Sequence, residues 1–158
     1  MRLVTAVVLC AAALTSVPAL AQDKAADTNM QILRDKVKAD KKLVVAANMG
    51  LTDAEGKAFW PIYDAYQKDL QALNERLAKG ILQYADAYNK NALTDEGAKS
   101  LTNEALAIDQ EELTLRKTYA AKLGPVLPGK KVARYIQIEN KIRAAIRYEM
   151  AGGIPLVP

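Results

Sequence analysis

Phe59, Tyr66, Leu73 and Gly80 recur every seven residues, and Tyr63, Leu70, Leu77 and Tyr84 repeat the same spacing four positions on. Two tracks of this kind lie along one face of a long helix and demand another helix beside it. A strand cannot carry that period, because its side chains alternate every two residues. The helix has a start signal as well. Thr52 can cap it, and Glu55 three residues later completes the capping box T-D-A-E. It should continue to about Asn89, a length of roughly 55 Å at 1.5 Å per residue. Pro61 removes one backbone hydrogen bond, so a kink is expected near Trp60-Pro61, with the seam passing through in phase. Gly80 on the seam would let a neighbouring backbone come close, at a cost in helix propensity.

Three further helices can be read around this one. The first should run from about Asp27 to Met49, with Met30, Leu33, Val37, Val44 and Ala47 at near-helical spacing and Gly50 as its stop. A third should start at Thr94 and end at Leu123 before Gly124-Pro125, with Leu101, Ala105, Ile108, Leu115 and Tyr119 facing inward. A fourth should run from about Lys130 to Ala151, with Val132, Tyr135, Ile136, Ile142, Ala145 and Ile146 as its apolar face. Residues 152–158 then form an extended apolar tail. Acid-before-base pairs four apart (Asp64–Lys68, Glu75–Lys79, Asp86–Lys90, Asp95–Lys99, Glu112–Arg116) mark exposed helix faces, each worth a few tenths of a kcal/mol. The expected fold is all-α: four helices forming long antiparallel hairpins in a single domain, 22–158. A long seam on thin helices leaves apolar surface over, so a curved homodimer is expected. At 158 residues, 51% apolar and 25% charged, the composition suits one such domain.

Residues 1–21 read as a secretory signal peptide. Arg2 supplies the positive start, Leu3 to Leu14 form an apolar run interrupted by Thr5, and Ala19-Leu20-Ala21 fits the cleavage pattern. That run is well short of the roughly 20 residues that span a bilayer. The sequence therefore predicts a periplasmic product with no membrane span. Removing the leader also removes Cys10, the chain's one cysteine.

The chain has no histidine, which excludes imidazole bases and the familiar triads and zinc sites. No catalytic residue, cofactor or metal is expected. Asp109, Glu111 and Glu112 are spread around their helix and read as solvated charge. The tyrosines at 63, 66, 84 and 119 read as core and seam residues. An all-helical enzyme without histidine is still possible, since secreted chorismate mutases work by electrostatic stabilisation. Leu33-Arg34-Asp35-Lys36-Val37 with Lys41 is similar to their first helix.

Charge is unevenly placed within a net formal +4. Segment 34–42 holds five cations against two acids, and segment 130–149 holds six against two, so the outer helices are basic and the middle pair acidic. Mutual attraction within a bundle would account for this. So would a basic surface that recruits an acidic or mixed partner. The candidate surface is Lys130, Lys131, Arg134 and Lys141 with Tyr135, beside the apolar row Val132, Ile136 and Ile142. Nucleic acid is not the expected partner, given export and the modest charge.

The opening L-T-D-A-E with Phe59-Trp60-Pro61-x-Tyr63, and the run Leu127-Pro128-Gly129-Lys130-Lys131-Val132-Ala133-Arg134-Tyr135-x-Gln137-x-Glu139-Asn140-Lys141, resemble a group of small exported proteobacterial proteins. That group in turn resembles the Spy/CpxP (LTxxQ-motif) periplasmic family, with Leu51-Thr52-Asp53 and Leu93-Thr94-Asp95 as the two helix-opening motifs. The resemblance implies a helical-hairpin subunit paired into a curved dimer. It also implies an ATP-independent, chaperone-like or envelope-stress-related role, in which an apolar and basic surface holds unfolded or partly folded envelope proteins or docks on a periplasmic sensor domain. A structural or sensor-accessory helical module is the plainer alternative.

Overall fold

The computed structural model describes residues 40–158. The expected signal peptide and the 27–39 part of the expected first helix lie outside the described residues. Four helices follow: α1, of which residues 40–49 are described, α2 (Asp53–Asn89), α3 (Asp95–Leu123) and α4 (Gly129–Gly153). Among the described residues there is no strand, and the fold is all-α. No helix among them is long and apolar enough to cross a membrane.

The local signals act as their chemistry requires. Thr52 Oγ1 accepts a hydrogen bond from the Glu55 backbone N–H at 3.3 Å, and the Thr52 N–H donates to Glu55 Oε2 at 2.7 Å, closing the capping box. Thr94 caps α3 by accepting from the Gly97 N–H at 3.1 Å. Pro61 sits exposed within α2, and the helix continues through it without interruption.

Paired residues fix the topology. Tyr66 meets Tyr119, and Arg76 meets Glu104 and Glu111, so α2 and α3 form an antiparallel hairpin. The hairpin turns through Asn91, whose φ of 48° is left-handed, a conformation asparagine tolerates better than most residues. α4 then runs back along α3, pairing Asn140 with Arg116, Arg143 with Glu112 and Arg147 with Asp109. It lies parallel to α2, as the contacts Glu55–Lys131, Gln67–Glu139 and Tyr84–Pro155 require. The last contact shows that the tail is not wholly free: the Tyr84 hydroxyl donates to the Pro155 carbonyl at 2.9 Å. α4 itself extends through Gly152-Gly153, two residues beyond its expected end.

The seam of α2 faces inward as its period requires. Phe59, Tyr63, Tyr66 and Leu73 are buried, while Leu70, Leu77, Gly80 and Tyr84 are half-buried towards the far end of the hairpin. The core gathers at the α1 end. There Tyr135 of α4 meets the rings of Phe59, Tyr63 and Tyr66 at centroid distances of 5.2, 6.1 and 6.2 Å. Edge-to-face pairs of this kind add about 0.5–1.5 kcal/mol each beyond burial. Val45, Met49, Leu123 and Leu127 close the cluster.

The structure corrects several expected inward positions. On α1 the buried pair is Val45 and Met49, while Val44 and Ala47 are exposed. The stop at Gly50 turns the chain so that the 45/49 face meets the aromatic cluster. Ala105, Ala145 and Ile146 are exposed, because the bundle covers a narrower stripe of α3 and α4 than an apolar count suggests. Gly80 has no close neighbour, since a Cβ there would meet nothing within 4 Å. Its place on the seam serves no close backbone approach.

Two substitutions test this packing by denaturant unfolding. Phe59→Ala removes the ring that touches Trp60, Tyr63 and Tyr135, and should cost about 3–5 kcal/mol. Gly80→Ala fills open space and restricts the unfolded chain, so it should stabilise by about 0.5–1 kcal/mol.

Candidate functional site

The cations of α4 divide into two groups. Lys131 points inward: its Nζ donates to the Gly50 carbonyl at 2.9 Å and to Glu55 Oε2 at 2.5 Å, tying α4 to the α1–α2 junction. Arg143 and Arg147 reach Glu112, a carboxylate that is 7% exposed, and Arg147 also binds Asp109. Lys130, Arg134 and Lys141 are exposed and have no ion-pair partner among the described residues.

Two members of the sequence-derived surface therefore serve the packing, Lys131 half-buried and Tyr135 buried. Lys131 holds the fold together. Tyr135 is 1% exposed, because the helix turns it into the ring cluster on α2 while its neighbour Arg134 faces solvent. The aromatic that accompanies the exposed cations is Tyr148, 79% exposed. Arg134, Lys141 and Tyr148 are successive sevens, and Lys130 is one turn before Arg134, so the four share one face over about 27 Å. Sequence reasoning could have found Tyr148 from that spacing; proximity to the basic run favoured Tyr135 instead. Gln137 and several alanines fill the rest of this face.

The acids of α3 are also not free charge. Asp109, Glu111 and Glu112 each meet an arginine of a neighbouring helix: Arg147 for the first, Arg76 for the second, Arg143 and Arg147 for the third. Of the five expected pairs four apart, Asp86–Lys90 forms, at 2.7 Å. Asp64 turns to Lys42 instead, and Arg116 to Asn140. Attraction between basic outer helices and acidic middle helices is thus present as discrete pairs.

A second buried carboxylate, Glu139, lies 4% exposed beside the tyrosines. Lys41 of α1 pairs with it at 2.7 Å and Gln67 donates to it at 3.0 Å. This engages the lysine that the chorismate-mutase likeness had singled out. Burial, and next the charge of Glu139, push the Tyr63, Tyr66 and Tyr135 phenols well above their ordinary value. Tyr119 donates to Asp69 at 2.5 Å, and that bond, with burial, raises its phenol to about 12. Glu55 is held below the usual carboxylate range, first by the hydrogen bond from Lys131 and then by the Thr52 N–H.

An open groove of about 700 Å³ lies between α1 and the first turns of α2, lined by Ala46, Leu51, Gly56, Trp60 and Pro61. No group of three acids, cysteines or histidines among the described residues is placed to hold a metal ion. The arrangement on α4 is suited to contact, through a row of cations and an exposed ring. Comparison with protein-family models, with curated proteins and with solved structures finds no match for this chain.

The raised phenols set an alkaline limit. A group whose folded pKa lies above its unfolded value stabilises the fold below the unfolded value, here near 10, and loses that contribution as pH rises through the folded one. Unfolding free energy should therefore fall steeply above a pH of about 10, with phenolate absorbance from the buried rings appearing together with loss of helicity. Glu55 acts in the opposite sense, contributing above its ordinary value of 4.5 and less as pH falls through its lowered one. Lys131→Gln should raise the Glu55 pKa, as read by carboxyl NMR titration.

Proposed function

We propose that this chain is an exported, periplasmic protein-binding factor of Spy/CpxP type, acting as an ATP-independent chaperone-like or envelope-stress-related partner of unfolded or partly folded proteins. The observation that carries this reading is the face of α4 on which Lys130, Arg134 and Lys141 have no internal partner and Tyr148 is exposed. Charge on such a face speeds encounter and is screened by salt, while ring and apolar contact slows release. Exposed apolar side chains on the other helices, Leu82 and Leu106 among them, offer further weak contact. The signal-peptide pattern and the helix-opening motifs of the sequence support the compartment and the family likeness. A homodimer belongs to the same reading.

The test is the suppression of aggregation of a denatured client, without ATP, by the purified protein. Replacing Lys130, Arg134 and Lys141 together by Gln should weaken suppression several-fold at low salt and bring it to the level of the parent at high salt. Lys131 is left intact because its loss would disturb the α1–α2 junction. Unchanged helicity with unchanged protection would show that the basic face is only solvated charge.

A further inference from the structure

α4 is packed on one side and basic on the other. Tyr135 and Glu139 turn inward and are buried, while Lys130, Arg134, Lys141 and Tyr148 stand opposite them, exposed, within about 40° of one another round the helix axis. No acid shares that face. Of the two acids of α4, Glu139 is on the packed side and Glu149 lies about 100° round the helix from Tyr148. α2 and α3 differ in character, each with six acids against four cations, whereas α4 has six cations against two acids. A negatively charged surface therefore attracts the outer face of α4 more than the faces of α2 and α3, and the protein approaches it with α4 foremost.

The three cations are spaced about 6 and 10 Å apart along the helix, and no ion pair among the described residues holds them in place. Two are lysines, point charges on flexible stems, which suit mobile anions that adjust to them better than one anion in a fixed seat. Apolar chemistry continues the row. Tyr148 is 79% exposed, and beyond α4 Leu156 is 90% and Val157 60% exposed. The Tyr84 hydroxyl donates to the Pro155 carbonyl at 2.9 Å, so these two side chains start from a fixed point beside the end of α4. A tyrosine has an apolar body and a polar tip, the combination enriched where headgroups meet hydrocarbon. An acidic polypeptide would answer the cations alone. An anionic bilayer offers headgroup charge to the row and acyl chains to Leu156 and Val157.

We propose that the outer face of α4, with the adjoining Leu156 and Val157, is a peripheral docking site for an anionic phospholipid surface. The cations lie against the headgroups, Tyr148 sits at their level, and the apolar pair enters the acyl boundary. The contact is superficial, since no described helix is long and apolar enough to cross a membrane. The site goes beyond the protein-binding role proposed above and does not rest on it.

The experiment is flotation of the complete chain with vesicles of phosphatidylcholine alone and of phosphatidylcholine and phosphatidylglycerol in equal parts, with circular dichroism as the folding control. The apolar run Leu3–Leu14 is common to parent and variants, so their differences report on α4 and on residues 156–157. Each cation at such a surface is worth about fivefold in partition, so the three together should favour the anionic vesicles about a hundredfold at low salt. Replacing Lys130, Arg134 and Lys141 by Gln should remove that preference, and high salt should weaken it in the parent. Leu156→Ser with Val157→Ser should lower binding to anionic vesicles about tenfold and leave the salt dependence in place. Equal binding of the helical Gln variant and the parent to anionic vesicles, or a parent indifferent to lipid charge, would overturn the site. So would unchanged binding of the serine pair, because the apolar half of the contact would then be absent. Protection of a denatured client by a parent that does not float with anionic vesicles would assign the face to polypeptides and overturn the lipid site. Flotation without client protection would support the lipid site and remove the protein-binding role.

Discussion

Tyr135 entering the ring cluster of Phe59, Tyr63 and Tyr66 is the contact on which the bundle depends. α2 and α3 can pair through their own seam, but α4 has two buried side chains, Tyr135 and Glu139. The ring supplies apolar area and edge-to-face geometry, and the carboxylate one turn later brings in Lys41 and Gln67. The same few residues thus join α1, α2 and α4. The arrangement concentrates the core at one end of the hairpin and leaves Leu82, Leu106 and Tyr148 exposed elsewhere.

Charge follows from that packing. Once α4 lies between the acids of α3 and the start of α2, Lys131, Arg143 and Arg147 find carboxylates, and their attraction is stronger for being partly desolvated. An exposed pair four apart on one helix is worth little and loses the competition when a neighbouring helix offers a better-placed partner. This explains why Glu112 leaves Arg116 for Arg143 and Arg147. The cations on the far side of α4 have no such option, and the division between structural and accessible cations is a division of helix faces.

The functional reading is correspondingly about surfaces. The buried tyrosines and carboxylates are held by one another and by cations, and serve the fold. A row of three cations ending in a tyrosine is the exposed chemistry of α4, and α1 packs against the same ring cluster from the other side through Val45 and Met49.

Period and punctuation in the sequence determined the helices. The sevenfold seam, the caps at Thr52 and Thr94, and the stop at Gly124 specify α2 and α3 to within a residue, because these are local rules that need no partner. The seam also identified Phe59, Tyr63, Tyr66 and Leu73 as inward. What the tertiary structure decided was which of several apolar or charged faces is covered. Val45 and Met49 were chosen over Val44 and Ala47, Tyr148 over Tyr135 as the exposed ring, and Lys131 over Lys130 as the half-buried, paired cation. The physical reason is the same throughout. Helical periodicity fixes the angles between side chains on one helix, but the rotation of that helix about its axis is set by the surface it meets.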